Sequence, residues 1–132
     1  MMKEPRQKVM SEMGQEACYL LCVVDIAEEV LKERIDAVVA YLEGVERNLV
    51  QENCLMTDAA GFLEMLTGVP WVKRYESASY VKKDGEFEVQ KWQRKSGAGT
   101  IDHFRRETYD PYGDSRTVRE GYLESKRIFV RG

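Results

Sequence analysis

Three side chains in this 132-residue chain have the types needed to cleave or transfer an amide: Cys18, His103 and Asp110. A cysteine attacks as thiolate, so its proton must leave near neutral pH. The positive end of a helix dipole helps, and a neighbouring imidazolium supplies the rest. Cys18 falls where an apolar helical pattern begins. Cys22 lies one turn deeper on the same face, and Cys54 follows two helical segments without a comparable setting. Cys18 therefore ranks ahead of Cys22, and Cys22 ahead of Cys54. His103 is the single histidine, so no other imidazole is available as a base. An imidazole base needs an acceptor that orients its ring. Asp110 is the candidate, but along one strand it would lie roughly 23 Å away. A tight turn at Arg105-Arg106 removes the distance by setting His103 opposite Thr108 and making Asp110 a diagonal neighbour. Asp102 then points to the other face, and Arg-Arg is a poor two-residue loop. Gln15, three residues before Cys18, is a candidate amide donor to the oxyanion, together with the Cys18 backbone N–H.

These groups need elements to hold them. Ala17, Leu20, Leu21, Val24, Ala27, Val30 and Leu31 recur at helical spacing and predict a helix over 15–31. Ile35, Val38, Val39 and Leu42 predict a second, shorter helix stopped by Gly44. Residues 53–56 read as a short extended or irregular piece. Thr57 or Asp58 then caps a third helix carrying Phe62, Leu63 and Leu66, with Gly68 just beyond it. After Pro70 the residues turn aromatic and β-branched. Strands are expected over 71–75, 80–81, 87–92, 101–104, 108–110 and 127–130. Asp84-Gly85 predicts a hairpin turn between the second and third of these, and residues 96–99 another turn. Helices first and antiparallel strands after predict an α+β domain with helices packed on one sheet. The expected organisation is a polar segment over 1–14 and one domain over 15–132, with a helical half at 15–68 and a sheet half at 69–132.

The pattern Gln15-x-x-Cys18-Tyr19-x-x-Cys22 opening a helix, then His103-Phe104, then Tyr109-Asp110-Pro111-x-Gly113-x-Ser115, resembles papain-like cysteine peptidases. It is most similar to the branch that processes double-glycine leaders of bacteriocins. It also resembles small phage and prophage domains of unknown function with that signature, whose tails are similar to residues 115–121 and 125–129. The likeness is discontinuous and spans 15–130. It implies a papain-like fold, thiol hydrolysis without a cofactor, and a peptide or peptidoglycan substrate. It also implies Cys18 as nucleophile, His103 as base, Asp110 as orienting residue and Gln15 as oxyanion donor. The sequence departs from the pattern in holding Gln15 only three residues before the cysteine, and in a short stretch between His103 and Asp110.

Composition narrows the alternatives. Hydrophobic residues make up 43% and charged residues 33%, as in a globular domain. A net charge of −3 gives no general attraction to nucleic acid or anionic membrane. The apolar run at 17–27 is broken by Asp25 and is too short to span a bilayer. The first fifteen residues lack the apolar segment of a secretory signal, so a cytoplasmic location is expected. Release or virion association would follow if the chain is phage-encoded. Three cysteines predict reduced thiols rather than a disulfide framework. Cys18 and Cys22 could serve as two metal ligands at i and i+4, with His103 and Cys54 completing a set, but no CxxC pair supports this. Arg105, Arg106, Arg116, Arg119, Lys126 and Arg127, with tyrosines among them, could line a single strand of nucleic acid. A charged sheet edge is the commoner reason for such a strip. The non-enzymatic alternative is a papain-like interaction or structural module without turnover.

Overall fold

The computed structural model describes residues 17–132. Among the described residues, helices α1 (Ala17–Leu31), α2 (Ala37–Glu46) and α3 (Ala59–Thr67) come first. Strands β1 (Trp71–Ser77), β2 (Phe87–Ser96), β3 (Gly99–Arg105) and β4 (Tyr122–Arg131) follow, with the short helix α4 (Arg116–Glu120) between β3 and β4. The fold is α+β, with helices preceding a four-stranded antiparallel sheet of order β1-β4-β2-β3.

Helix α1 is the centre of the core. Ala17, Cys18, Leu20, Leu21, Cys22, Val23, Val24, Ile26 and Ala27 are all buried. Residues 17–24 carry no charge on any side of the helix and must be surrounded, and Asp25, Glu28 and Glu29 form its polar face further along. Phe62 and Leu63 of α3 share this core with Val89 and Phe129 of the sheet. Asp58 caps α3 by accepting the Gly61 N–H at 2.9 Å, and Gly68 ends it in the left-handed region at φ 79°. Both ends of that helix lie where the sequence puts them. Among the described residues no helix is long and apolar enough to cross a membrane.

Helix α2 corrects the sequence reading twice. Val38, Val39 and Leu42 were expected to face the core, yet they are 46%, 54% and 57% exposed. The inward face consists of Ala37, Ala40 and Gly44. Gly44 is not a stop; it lies inside the helix. A Cβ there would come within 2.7 Å of Phe62 Cε1 and 2.8 Å of Val50 Cγ2. The small residues therefore mark the side on which α2 approaches its neighbours closely, and the larger apolar ones are left outside.

The sheet departs from the expected order as well. Residues 80–81 form no strand, and the predicted hairpin with β2 is absent. Gly85 still turns the chain at φ 82°, but Tyr80 is held by Arg74 and Glu86 in a side-chain cluster. Strand β4 enters between β1 and β2, pairing Trp71–Ser77 on one side and β2 on the other. The turn at residues 96–99 joins β2 to β3 as expected, with Gly97 at φ 61°. This leaves β3 as a sheet edge.

Candidate active site

Strand β3 carries His103, and its ring is fixed from several sides. His103 is opposite Trp92 in the β2–β3 ladder. The Tyr112 ring stacks on it at 5.3 Å between centroids. Its Nε2 lies 2.8 Å from Asp110 Oδ1, and the two side chains are only 2% and 5% exposed. An ionised carboxylate can only accept, so Nε2 carries the proton and donates to Asp110. Nδ1 is then the basic nitrogen of the neutral ring.

Asp110 reaches this position by a different turn from the expected one. The loop is Glu107-Thr108, not Arg105-Arg106. Arg106 and Tyr109 close it by exchanging backbone hydrogen bonds of 2.7 and 3.2 Å. Pairing Arg106 with Tyr109 sets Arg105 opposite Asp110, so the expected pairing of His103 with Thr108 is overturned. Moving the centre of the turn by two residues shifts the pairing by an even number. The face is therefore kept, and Asp110 remains diagonal to His103. Thr108 to Asp110 is no regular strand. After Tyr109 the chain turns again, with Gly113 N–H donating to Asp110 O at 2.9 Å. The Tyr112 N–H donates to Asp110 Oδ1 at 2.9 Å, fixing the carboxylate and bringing Tyr112 beside His103.

Burial pushes the Asp110 carboxyl up. The hydrogen bond and charge of His103, the Tyr112 N–H and the Arg105 charge outweigh that and hold it below the usual carboxylate range.

Cys18 lies in α1 beside Ala17, the first described residue, and is 2% exposed. Its Sγ accepts the backbone N–H of Phe104, the residue after His103, at 3.4 Å. An edge strand has outward N–H groups free for such contacts. The Tyr19 ring stacks on Phe104 at 4.7 Å and fastens the same junction. Arg106 fastens it further along, donating to Asp25 Oδ2 at 3.0 Å and Glu29 Oε1 at 2.7 Å on α1 and to the Glu88 carbonyl at 3.3 Å. Cys22 is fully buried; burial pushes its thiol well up, and the Cys18, Asp25 and Asp110 charges add to this against Arg106. Cys54 is buried at φ 72°. None of the three cysteines is in a disulfide. Gln15 lies outside the described residues.

Two hollows flank β3. A cleft of about 360 Å³ is lined by Cys18, Tyr19, Cys54, Met56, Ile101 and Phe104, among others. A smaller recess of about 230 Å³ has His103, Tyr112, Arg94 and Arg116 in its wall. Ile101 and Asp102 belong to both. Asp102 faces away from the His103–Asp110 pair, as its position in the strand requires, and accepts from Gln93 at 2.9 Å. Arg94 is not singled out in the sequence, and Tyr112 enters it only among the tyrosines of the basic strip. The Asp-Pro-x-Gly turn after Asp110 was the available signal for Tyr112.

The basic strip is engaged within the molecule. Arg105 donates to the Arg106 and Glu107 carbonyls, Arg116 pairs with Glu120 and Arg119 with Asp114. Lys126 pairs with Glu88, and Arg127 lies over the Tyr75 and Phe104 rings. Among the described residues no group of three or more His, Cys, Asp and Glu could hold a metal ion.

No curated protein and no solved structure matches this chain. A family model described as a protein of unknown function, DUF261, matches residues 1–131, and the chain belongs to that family.

Proposed function

We propose that this protein is a papain-like thiol hydrolase that cleaves an amide bond in a peptide or peptidoglycan substrate. One observation carries the reading. The Cys18 sulfur accepts the N–H of Phe104 at 3.4 Å, while the adjacent His103 is bound to buried Asp110 at 2.8 Å. Segments separated by 86 residues thus bring the thiol to the backbone of the residue that follows an oriented imidazole, which supports the reading.

In this reading His103 takes the Cys18 proton and Sγ attacks the amide carbonyl. The tetrahedral oxyanion takes its hydrogen bonds from the Cys18 backbone N–H and, by the resemblance, from Gln15. Collapse breaks the C–N bond, and the imidazolium gives its proton to the leaving amine. Water, deprotonated by His103, then hydrolyses the thioester and restores the thiol. Asp110 keeps the ring in the tautomer that leaves Nδ1 basic.

The test is iodoacetamide labelling of each cysteine across pH, read by peptide mass mapping. Cys18 is expected to label fastest near neutral pH, and His103→Ala is expected to remove that advantage. A second reading has its own support: Cys18 is 2% exposed, as suits a packing residue in a module without turnover. Three slow thiols, indifferent to His103→Ala, would favour that module and sink the hydrolase.

A further inference from the structure

Arg94 stands apart from the other charged groups around the recess beside His103. Its Nε is cut off from solvent and has no hydrogen-bond partner. The other charges in that wall are matched. Asp102 accepts from Gln93 and lies 3.8 Å from Lys91, Asp114 pairs with Arg119 at 3.0 Å, and Arg116 pairs with Glu120 at 2.9 Å. The Arg94 charge is felt at Glu120, but Arg116 already holds that carboxylate. A buried polar group left unmatched costs stability and calls for a reason. Arg94 also has the right address: it pairs with Ile101 in the β2–β3 ladder, which makes it a diagonal neighbour of His103 on the same sheet face.

In the hydrolase reading, the two hollows would divide a substrate between them. The larger one has Cys18 in its wall, where the acyl part would be held as thioester. The smaller one has His103, which must protonate the leaving amine, so the leaving fragment belongs there. We infer that the recess binds the leaving fragment by its carboxylate, with Arg94 as the specificity residue, so that the preferred substrates release an amino acid whose own carboxylate is free. A guanidinium matches a carboxylate by two parallel N–H···O bonds, and an uncharged amide cannot reproduce both. This inference rests on the hydrolase reading for its substrate, but its test does not require turnover.

The experiment follows the Arg94 Nε–H resonance by NMR in a Cys18→Ala protein during titration with N-acetyl-Ala-Ala or its C-terminal amide. The acid is expected to shift that resonance and to bind on the order of tenfold more tightly than the amide. Arg94→Gln is expected to equalise the two ligands. If that variant does not fold, the acid–amide comparison in the Arg94 protein decides alone. Equal affinity for acid and amide would overturn the inference. So would displacement of the acid by inorganic phosphate at the same concentration, which would mark a general anion site. Labelling of Cys18 judges the hydrolase reading separately, so either idea can fail without the other.

Discussion

Asp110 concentrates three demands in one carboxylate: it orients His103, accepts the Tyr112 N–H and remains ionised in a buried place. Its depressed titration makes it a stability device. The contribution is complete above the unfolded-state value of ~3.9 and is lost as pH falls through the lower folded-state value. Asp110→Asn is therefore expected to flatten the acid side of the stability–pH curve, measured as urea midpoints between neutral pH and acid. Asp110→Ala leaves His103 Nε2 without its acceptor and is expected to cost about 1–3 kcal/mol near neutral pH. An unchanged urea midpoint for the alanine variant would mean that the pair contributes nothing to folding. Cys22 provides an internal control at the same scale. Burial holds its thiol protonated, so it is expected to resist iodoacetamide at pH 7 until the protein unfolds.

At the scale of elements, α2 shows how a close approach is encoded by small residues. Gly44→Ala drives a methyl into the Phe62 ring and the Val50 methyl and is expected to destabilise by about 1–3 kcal/mol, seen as a lower urea midpoint. Val39→Ser on the opposite, exposed face is expected to change that midpoint by less than about 0.5 kcal/mol. The reverse ranking would return α2 to the orientation expected from its larger apolar residues. The hairpin after β3 teaches a related lesson. Its loop sits at Glu107-Thr108, yet His103 and Asp110 stay together because the displacement is even. A pairing shifted by an odd number, as a three-residue loop would give, would have turned one of them away.

For the whole molecule, Arg106 is the tie between the helical layer and the sheet. Its guanidinium holds Asp25 and Glu29 of α1 while it also reaches the Glu88 carbonyl of β2. Arg106→Met keeps much of the packing volume and removes these bonds. The expected loss is roughly 1–3 kcal/mol, because Asp25 and Glu29 are partly solvated and regain water. The same variant is expected to slow Cys18 alkylation by loosening α1 against β3. A full labelling rate in a destabilised variant would separate the stability of the layers from the alignment of the thiol.

Local signals lay within the chain's own reach. Helical periodicity located α1, Asp58 and Gly68 marked the ends of α3, and the glycine-rich turn at 96–99 joined β2 to β3. The same kind of arithmetic brought Asp110 to His103, since a hairpin couples residues close in sequence. Contacts between distant segments were beyond it. The insertion of β4 between β1 and β2, the meeting of Cys18 with Phe104, and the Arg94 Nε left without a hydrogen-bond partner depend on how layers pack. Alternation and propensity say which residues suit a strand, but not which strand will be its neighbour. That choice is made by burial: Val89 of β2 and Phe129 of β4 join the same core as α1, and Cys18 meets the edge strand β3.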